Sequence, residues 1–182
     1  MTRVTLELEI ARSPEDVFDA WADLRQDMRW HPQAVRVEQT SPAPLGRGST
    51  FAAEYTGMGP MAVEVTEYDR PRAVARRGRA KSFDFASRVR LTPTGPGTRL
   101  AFEGEVAFRG PFRLLAPLMG PMMRKQANAT LTAFKRALEE GRLGFEADGA
   151  RPGATGTHSP QDLLGRGAAS TSHSVKHPAD GA

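Results

Sequence analysis

The beginning of the chain alternates between apolar and polar residues. Every second residue from 4 to 10 is apolar, and a polar residue separates each pair. This spacing predicts a β-strand that turns one face toward a core. Ser13 and Pro14 follow, and they favour the start of a helix because serine caps helices and proline fits the first turn. A second short helix, predicted over residues 24–30, ends before Pro32 because the residue preceding a proline avoids helical geometry.

Alternation returns six times in the middle of the chain, between turns rich in glycine and proline. The apolar positions predict strands near residues 35–41, 51–55, 61–65, 73–79, 83–91 and 100–108. The second and third of these flank the turn at residues 57–60, which predicts a hairpin. Seven strands are therefore expected in all.

The last periodic segment is helical. Apolar residues recur at helical spacing from 112 to 137. Because Pro117 and Pro121 interrupt this pattern, we predict a short segment near 112–119 and a main helix over about 121–141. Residues 146–182 contain no aromatic residue and are rich in Gly, Ala, Ser, Thr, His and Pro. Such a composition predicts a disordered tail after one domain at residues 1–145.

Four short motifs occur in this order: SPEDVF at 13–18, WHP at 30–32, GRGS at 46–49 and DRP at 69–71. Together with the strand pattern, they resemble the START-like superfamily, also called SRPBCC or the polyketide cyclase/dehydrase and lipid transport family. The resemblance covers about residues 2–143. It implies an α+β helix-grip (Bet v 1-like) fold, in which a seven-stranded curved antiparallel sheet wraps around a long C-terminal helix and two short helices follow strand 1.

The apolar strand faces and the apolar helix face must meet, and the resemblance implies a cavity between them. Such cavities bind apolar or aromatic ligands, and the methionines on the helix would adapt to varied ligand shapes. An alternative stays open, in which these side chains simply form the core. The candidate ligand-binding residues are Trp30, Phe51, Tyr55, Met61, Phe83, Phe85, Phe102, Phe108, Leu115, Met119, Met122 and Phe134. Three polar residues, Lys81, Ser87 and Thr130, share the phase of neighbouring phenylalanines.

Catalytic chemistry has little basis in the residues. The chain has no cysteine, which excludes disulfides and thiolate metal sites, and His31 is the single histidine of residues 1–145. The strand glutamates, at positions 54, 64, 103 and 105, all fall on the outward phase. Paired acids for general acid–base catalysis are therefore not indicated. We nominate no catalytic residue, no metal site and no cofactor.

The net charge of +4 reflects an excess of arginine. Several arginines crowd the fifth strand and the turn before it: Arg70, Arg72, Arg76, Arg77 and Arg79. They predict either a solvated outer face with local ion pairs, or a weak contact with an anionic membrane surface, an acidic ligand group or an acidic protein partner. No nucleic acid is expected because aromatic residues are not interleaved with them.

No segment is as long and apolar as a signal peptide or a membrane span, so we expect a cytoplasmic protein.

These observations favour a protein that binds a hydrophobic small molecule or lipid in an internal cavity. An aromatase/cyclase-type enzyme that acts on a polyketide-like substrate is the first alternative and rests on the resemblance. A non-catalytic interaction protein that uses the basic face and the tail is the second. The residues leave enzymatic activity open, and they favour a protein that binds its ligand without converting it.

Overall fold

The computed structural model describes residues 1–143, without the side chains of residues 112 and 114–118. The boundary at residue 145 and the tail at 146–182 lie outside this part of the chain and stay predictions. The elements are β1 (Thr2–Ile10), α1 (Pro14–Ala22), a 3-10 turn (Leu24–Gln26), α2 (Asp27–Trp30), β2 (Ala34–Gln39), β3 (Thr50–Tyr55), β4 (Gly59–Asp69), β5 (Ala73–Ala80), β6 (Phe83–Thr94), β7 (Gly97–Phe108), a second 3-10 turn (Gly110–Leu115) and α3 (Ala116–Glu139).

The seven strands form one antiparallel sheet in the order β1-β7-β6-β5-β4-β3-β2. From β2 to β7, strands that follow one another in the chain are neighbours in the sheet. Strand β1 pairs with β7 instead, with Val4 opposite Gly104. Side chains alternate between an inner face toward the helices and an outer face. The predicted α+β helix-grip arrangement of seven strands, two short helices and a C-terminal helix is confirmed.

The first helix begins where the sequence predicts it. The Ser13 hydroxyl accepts a hydrogen bond from the backbone N–H of Asp16 at 3.1 Å, and Pro14 occupies the first helical position. These contacts satisfy donors that a helix start otherwise leaves unpaired. The apolar side of the helix, including Phe18 and Trp21, is buried against the sheet.

The predicted break in the C-terminal helix is wrong. Helix α3 runs without interruption from Ala116 to Glu139, and Pro121 lies inside it. A proline in a helix removes one backbone hydrogen bond and crowds the preceding turn. Because Pro121 lies close to the start of α3, the helix still forms its remaining turns on both sides. The predicted end near 141 is close to the observed one.

The core lies between the inner face of the sheet, α1 and the C-terminal half of α3. Its largest fully buried side chains include Phe18, Phe51, Leu100 and Phe134. Burial of such side chains contributes about 1.5–3 kcal/mol each. This packing fixes the C-terminal half of α3 against the sheet and determines where the inner face is covered.

Candidate functional site

Five of the predicted ligand-binding residues lie in the closed core. None is more than 9% exposed: Trp30, Phe51, Tyr55, Met61 and Phe134. The ring of Phe134 contacts Trp30 at 5.1 Å and Trp21 at 5.0 Å between centroids, both edge to face. These residues form the inner wall of the region in which the other candidates lie.

Four other candidates, Phe83, Phe85, Phe102 and Phe108, are only half-buried although they occupy the inner face of β6 and β7. The rings of Phe83 and Phe108 lie 6.2 Å apart between centroids, on paired positions of the two strands. Phe83, Phe85 and Phe102 pack against the core with part of their surface, and a large inward-facing apolar side chain that keeps some exposure marks a surface that the fold covers only in part. We call this surface the inner-face cleft.

The position of α3 explains why this surface stays open. Leu131, Phe134 and Leu138, in the C-terminal half, are at most 3% exposed, whereas Met122 in the N-terminal half is 57% exposed. Met119 is half-buried. Met122 faces solvent in this structure, so its predicted place in the lining is not observed. The side chain of Leu115 lies outside the described part of the structure.

Small residues lower the floor of the inner-face cleft. A row across the sheet joins Arg76 of β5, Ser87 of β6 and Gly104 of β7 at paired positions. Ser87 and Gly104 are both half-buried, and their phase places them on the inner face. Large phenylalanines, Phe85 and Phe102, stand on either side of Ser87 and Gly104 along the strands. The ring of Phe102 lies over Gly104, because an ideal Cβ there would be 2.9 Å from Cε1. We call the row of Arg76, Ser87 and Gly104 the notch, and Arg76 is at one end of it.

The placement of Arg76 corrects the sequence analysis, which grouped it with surface arginines. Its side chain lies on the inner face and is 7% exposed. One guanidinium nitrogen, Nη2, donates to the backbone carbonyl of Trp21, and the guanidinium lies 5.6 Å from the Trp21 ring centroid. Its Nε–H is buried without an acceptor among the described residues. Burial lowers the pKa of Arg76 from its usual value, and the nearby Asp27 charge partly compensates.

The other four arginines of this group behave as the solvated alternative predicts. Each lies on the surface and forms an ion pair with a neighbouring acid. Exposed pairs of this kind contribute at most about 1 kcal/mol each. The pairs are Arg70 with Asp19 at 2.6 Å, Arg72 with Asp69 at 3.0 Å, Arg77 with Glu64 at 2.7 Å and Arg79 with Asp84 at 3.0 Å.

A buried carboxylate lies on the other side of Arg76. Asp27 of α2 is 6% exposed and accepts a 2.6 Å hydrogen bond from the hydroxyl of Tyr55. Burial raises the pKa of Asp27 to about 6, while the Arg76 charge and the Tyr55 hydrogen bond act in the lowering direction. Burial and the Asp27 charge raise the pKa of Tyr55 above its usual value. The strand pattern could not indicate this acid, because a helix supplies it.

His31 adjoins this buried pair. Its ring lies 4.9 Å from the Tyr55 ring and 5.3 Å from the Trp30 ring between centroids, and Nδ1 accepts a 3.2 Å hydrogen bond from the backbone of Gln33. Burial lowers the pKa of His31 to about 4, so the ring is neutral near physiological pH. Within residues 1–143, no three His, Asp or Glu side chains form a group that could hold a metal ion.

An open groove of about 510 Å³ lies on the outer face of β2 to β5. Its lining combines outward charged side chains such as Arg36, Glu38 and Lys81 with the edges of a few inner residues. Met61 is the one predicted ligand-binding residue that borders it. The groove is therefore distinct from the inner-face cleft. Lys81 is exposed in the turn before β6.

The curved sheet, the helix that covers half of it and the apolar inner face define a START-like, helix-grip protein. The chain belongs to the polyketide cyclase/dehydrase and lipid transport family, whose sequence profile matches residues 1–139. No curated protein matches the sequence. None of the helices in residues 1–143 is long and apolar enough to cross a membrane.

Solved structures share the fold at low sequence identity. A START superfamily protein from Mycobacterium smegmatis is 23% identical, with a TM-score of 0.62, over 79% of this chain and 97% of that one. TTHA0849 from Thermus thermophilus is 18% identical, with a TM-score of 0.63, over 76% and 98% of the two chains. DynU16, from the dynemicin biosynthetic locus, is 15% identical, with a TM-score of 0.58, over 79% of this chain and 49% of its own.

Proposed function

We propose that this protein binds an apolar small molecule or lipid in the inner-face cleft, between the sheet and the N-terminal half of α3. The observation that carries this proposal is the partial exposure of Phe83, Phe85, Phe102 and Phe108 on the face that the fold otherwise buries. Membership of a family described by lipid transport and by polyketide cyclisation is consistent with such a ligand.

Energetics favour occupation of this surface. Each phenyl ring that a ligand covers removes apolar area from water, at about 25 cal/mol per Å². Met119 of the N-terminal half of α3 is half-buried, and a methionine side chain adapts to varied ligand shapes. The core behind the cleft is closed, so its wall is rigid and largely pre-formed, as is usual for small-molecule sites.

The experiment measures binding of a neutral apolar probe, methyl oleate, by displacement of a fluorescent dye, and native mass spectrometry of the protein as purified. Phe85→Asp should abolish displacement because it places a charge in the cleft. Ala86→Asp is the matched control, since Ala86 is the next residue, is exposed and faces outward. Equal binding by the two variants, or no binding by the wild type, would contradict the proposal.

A cyclase-type enzyme is the second candidate, and one observation favours it. Asp27, Tyr55, His31 and Arg76 gather ionisable groups beside the wall of the cleft. Proton transfer to or from a polyketide-like substrate would need such groups. Conversion of a linear poly-β-ketone thioester analogue to an aromatic product, followed by its absorbance, tests this candidate, and Tyr55→Phe should slow the conversion.

Three finer predictions concern the surface arginines, the tail and the location of the protein. The weak contact of the surface arginines with an anionic surface competes with the ion pairs that these arginines already form, such as Arg70 with Asp19. The interaction-protein alternative depends on the same face and on the tail, which lies outside the described residues. The cytoplasmic location stays a prediction from the sequence.

A further inference from the structure

Arg76 carries a buried positive charge. Among the described residues, no carboxylate forms an ion pair with it. Ion pairs within 4.0 Å join thirteen other cationic side chains of residues 1–143 to acids, and none of them includes Arg76. A buried charge is costly unless it is paired and hydrogen-bonded. One carbonyl contact, to Trp21, uses a single donor of the five that a guanidinium carries.

The nearest buried acid does not fill this role. Asp27 affects Arg76 through its charge, yet its carboxylate is engaged by the Tyr55 hydroxyl at 2.6 Å and makes no ion pair with the guanidinium. The Nε–H of Arg76 is left without an acceptor among the described residues. Arg76 therefore keeps a donor for an oxygen that this part of the chain does not supply.

The surroundings of Arg76 show how such an oxygen would reach it. Ser87 is paired with Arg76 across the sheet, stays half-buried, and makes no hydrogen bond to another described residue through its hydroxyl. Gly104 lies on the far side of Ser87, and the Phe102 ring lies over it, since an ideal Cβ there would be 2.9 Å from Cε1 of Phe102. Ser87 is thus flanked by the rings of Phe102 over Gly104 and Phe85 over Gly78, and its half-buried side chain is the part of the notch beside Arg76 that a ligand could reach.

We propose that the notch binds the carboxylate of an amphipathic acid, with Arg76 and Ser87 as its hydrogen-bond donors and the phenylalanines of the inner-face cleft around its apolar body. This inference rests on the proposed function and names the class of its ligand, a monocarboxylic acid with a long or aromatic hydrocarbon part. Arginine suits this role because its planar fork matches the geometry of a carboxylate.

The phenyl ring of Phe85 controls access to the notch. An ideal Cβ on Gly78, the next inner-face position of β5 after Arg76, would lie 2.0 Å from Cε1 of Phe85. The ring therefore rests on the backbone of Gly78, directly beside Arg76. Phe85 is half-buried and packs against the core, so rotation of its side chain would enlarge the path from the cleft at the cost of those core contacts.

The test compares each acid with its methyl ester, which keeps the apolar body and removes the charge. Titration calorimetry with oleate against methyl oleate, and with 2-naphthoate against methyl 2-naphthoate, separates a chain lipid from an aromatic acid. A hydrogen-bonded charge is worth about 1.5–3 kcal/mol, so at least one acid should bind about 10- to 100-fold more tightly than its ester. Equal affinities of acid and ester in both pairs would overturn the inference.

Variants assign the preference to the notch. Arg76→Met should remove the preference for the acid, so that acid and ester bind this variant with equal affinity. Arg77→Met is the matched control, since Arg77 is the adjacent residue, faces outward and pairs with Glu64. Retention of the preference by folded Arg76→Met would overturn the inference.

The comparison of acid and ester in the wild type needs no variant, so it decides the inference even where Arg76→Met does not fold. Its failure also differs from failure of the proposed function. If the esters bind and the acids gain nothing, the notch has been assigned wrongly and the cleft stands. If neither esters nor acids bind, the proposed function itself fails, and this inference fails with it.

Discussion

The hydroxyl of Tyr55 lies 2.6 Å from a carboxylate oxygen of Asp27, and both side chains are buried. The contact joins β3 to α2, the second of the short helices that follow β1 in the chain. A buried acid is stable only if its polar atoms find donors. This hydrogen bond therefore ties α2 to the sheet at the wall of the inner-face cleft.

Tyr55→Phe removes the donor and leaves the Asp27 carboxylate buried without it. We expect a loss of about 1–3 kcal/mol in the free energy of unfolding, measured by urea denaturation. The pKa of Asp27 should rise further, because the Tyr55 hydrogen bond acts to lower it. Tyr68→Phe is the control, since Tyr68 is half-buried and its hydroxyl has no hydrogen-bond partner among the described residues. Equal losses in both variants would show that the contact contributes little.

Asp27 and His31 should make opposite contributions to the pH dependence of the free energy of unfolding. Burial raises the pKa of Asp27 from 3.8 to about 6, so its contribution to stability decreases as pH rises through that range. Burial lowers the pKa of His31 from 6.5 to about 4, so its contribution increases as pH rises from about 4 to 6.5. The two effects offset each other over the same interval in the wild-type protein.

Single substitutions separate the contribution of Asp27 from that of His31. Relative to Asp27→Asn, the wild type should lose on the order of 2–3 kcal/mol of unfolding free energy as pH rises through the interval set by the Asp27 pKa values. Relative to His31→Gln, it should gain stability as pH rises through the same interval. Urea denaturation at a series of pH values measures both. A difference between wild type and Asp27→Asn that is independent of pH would refute the buried ionisation.

The fold was accessible from the sequence because its signals are local and repeated. Alternation assigns each strand a core-facing side, and the Ser13-Pro14 start fixes α1. The end of α2 before Pro32 follows from one proline. Pro121 misled the prediction, since the pattern of apolar residues around it is continuous and packing of the later turns of α3 outweighs the missing hydrogen bond.

The site was less accessible because its polar groups come from tertiary neighbours. Arg76 has the same phase as Val74 on β5, an apolar residue that is 1% exposed, and this was the one signal that it faces inward. Its place in a run of arginines concealed that phase. Asp27 belongs to a helix of four residues that is too short to show a periodic face. Which phenylalanines stay exposed depends on how far α3 covers the sheet, which no local pattern encodes.

Arg12 holds the C-terminal end of α3 to the loop after β1. Its Nη2 donates to the backbone carbonyl of Glu139 at 2.6 Å and its Nε to that of Leu138 at 3.2 Å. The Leu138 carbonyl also accepts a hydrogen bond from the backbone N–H of Gly141 at 3.1 Å, so Arg12 is its second donor, and a cation near the last carbonyls complements the helix dipole. We expect Arg12→Met to destabilise the protein by about 1–2 kcal/mol and to speed hydrogen exchange in the last turn.

The matched control for Arg12 is Arg142→Met. Arg142 is exposed, and its side chain pairs with Glu140, two residues away. Its loss should leave the stability within about 0.5 kcal/mol. Faster exchange in both variants alike would mean that the end of α3 frays regardless of Arg12.

Gly78→Ala tests the close approach of Phe85 to the sheet. The added Cβ would lie 2.0 Å from Cε1 of Phe85, so the phenyl ring must move away from the backbone. We expect a cost of about 1–3 kcal/mol from this overpacking. In a Phe85→Ala background the same substitution should be neutral or stabilising, because the obstruction is gone and alanine suits a strand interior better than glycine does.

A double-mutant cycle measured by thermal and urea denaturation therefore should give a coupling energy of about 1 kcal/mol or more between the two positions. Ligand binding supplies a second measurement. If Phe85 controls access to the notch, Gly78→Ala displaces its ring permanently, and oleate should associate faster with this variant than with the wild type. In the Phe85→Ala background, Gly78→Ala should leave the association rate of oleate unchanged. Additive stabilities together with an unchanged association rate would show that the ring does not rest on Gly78 in solution.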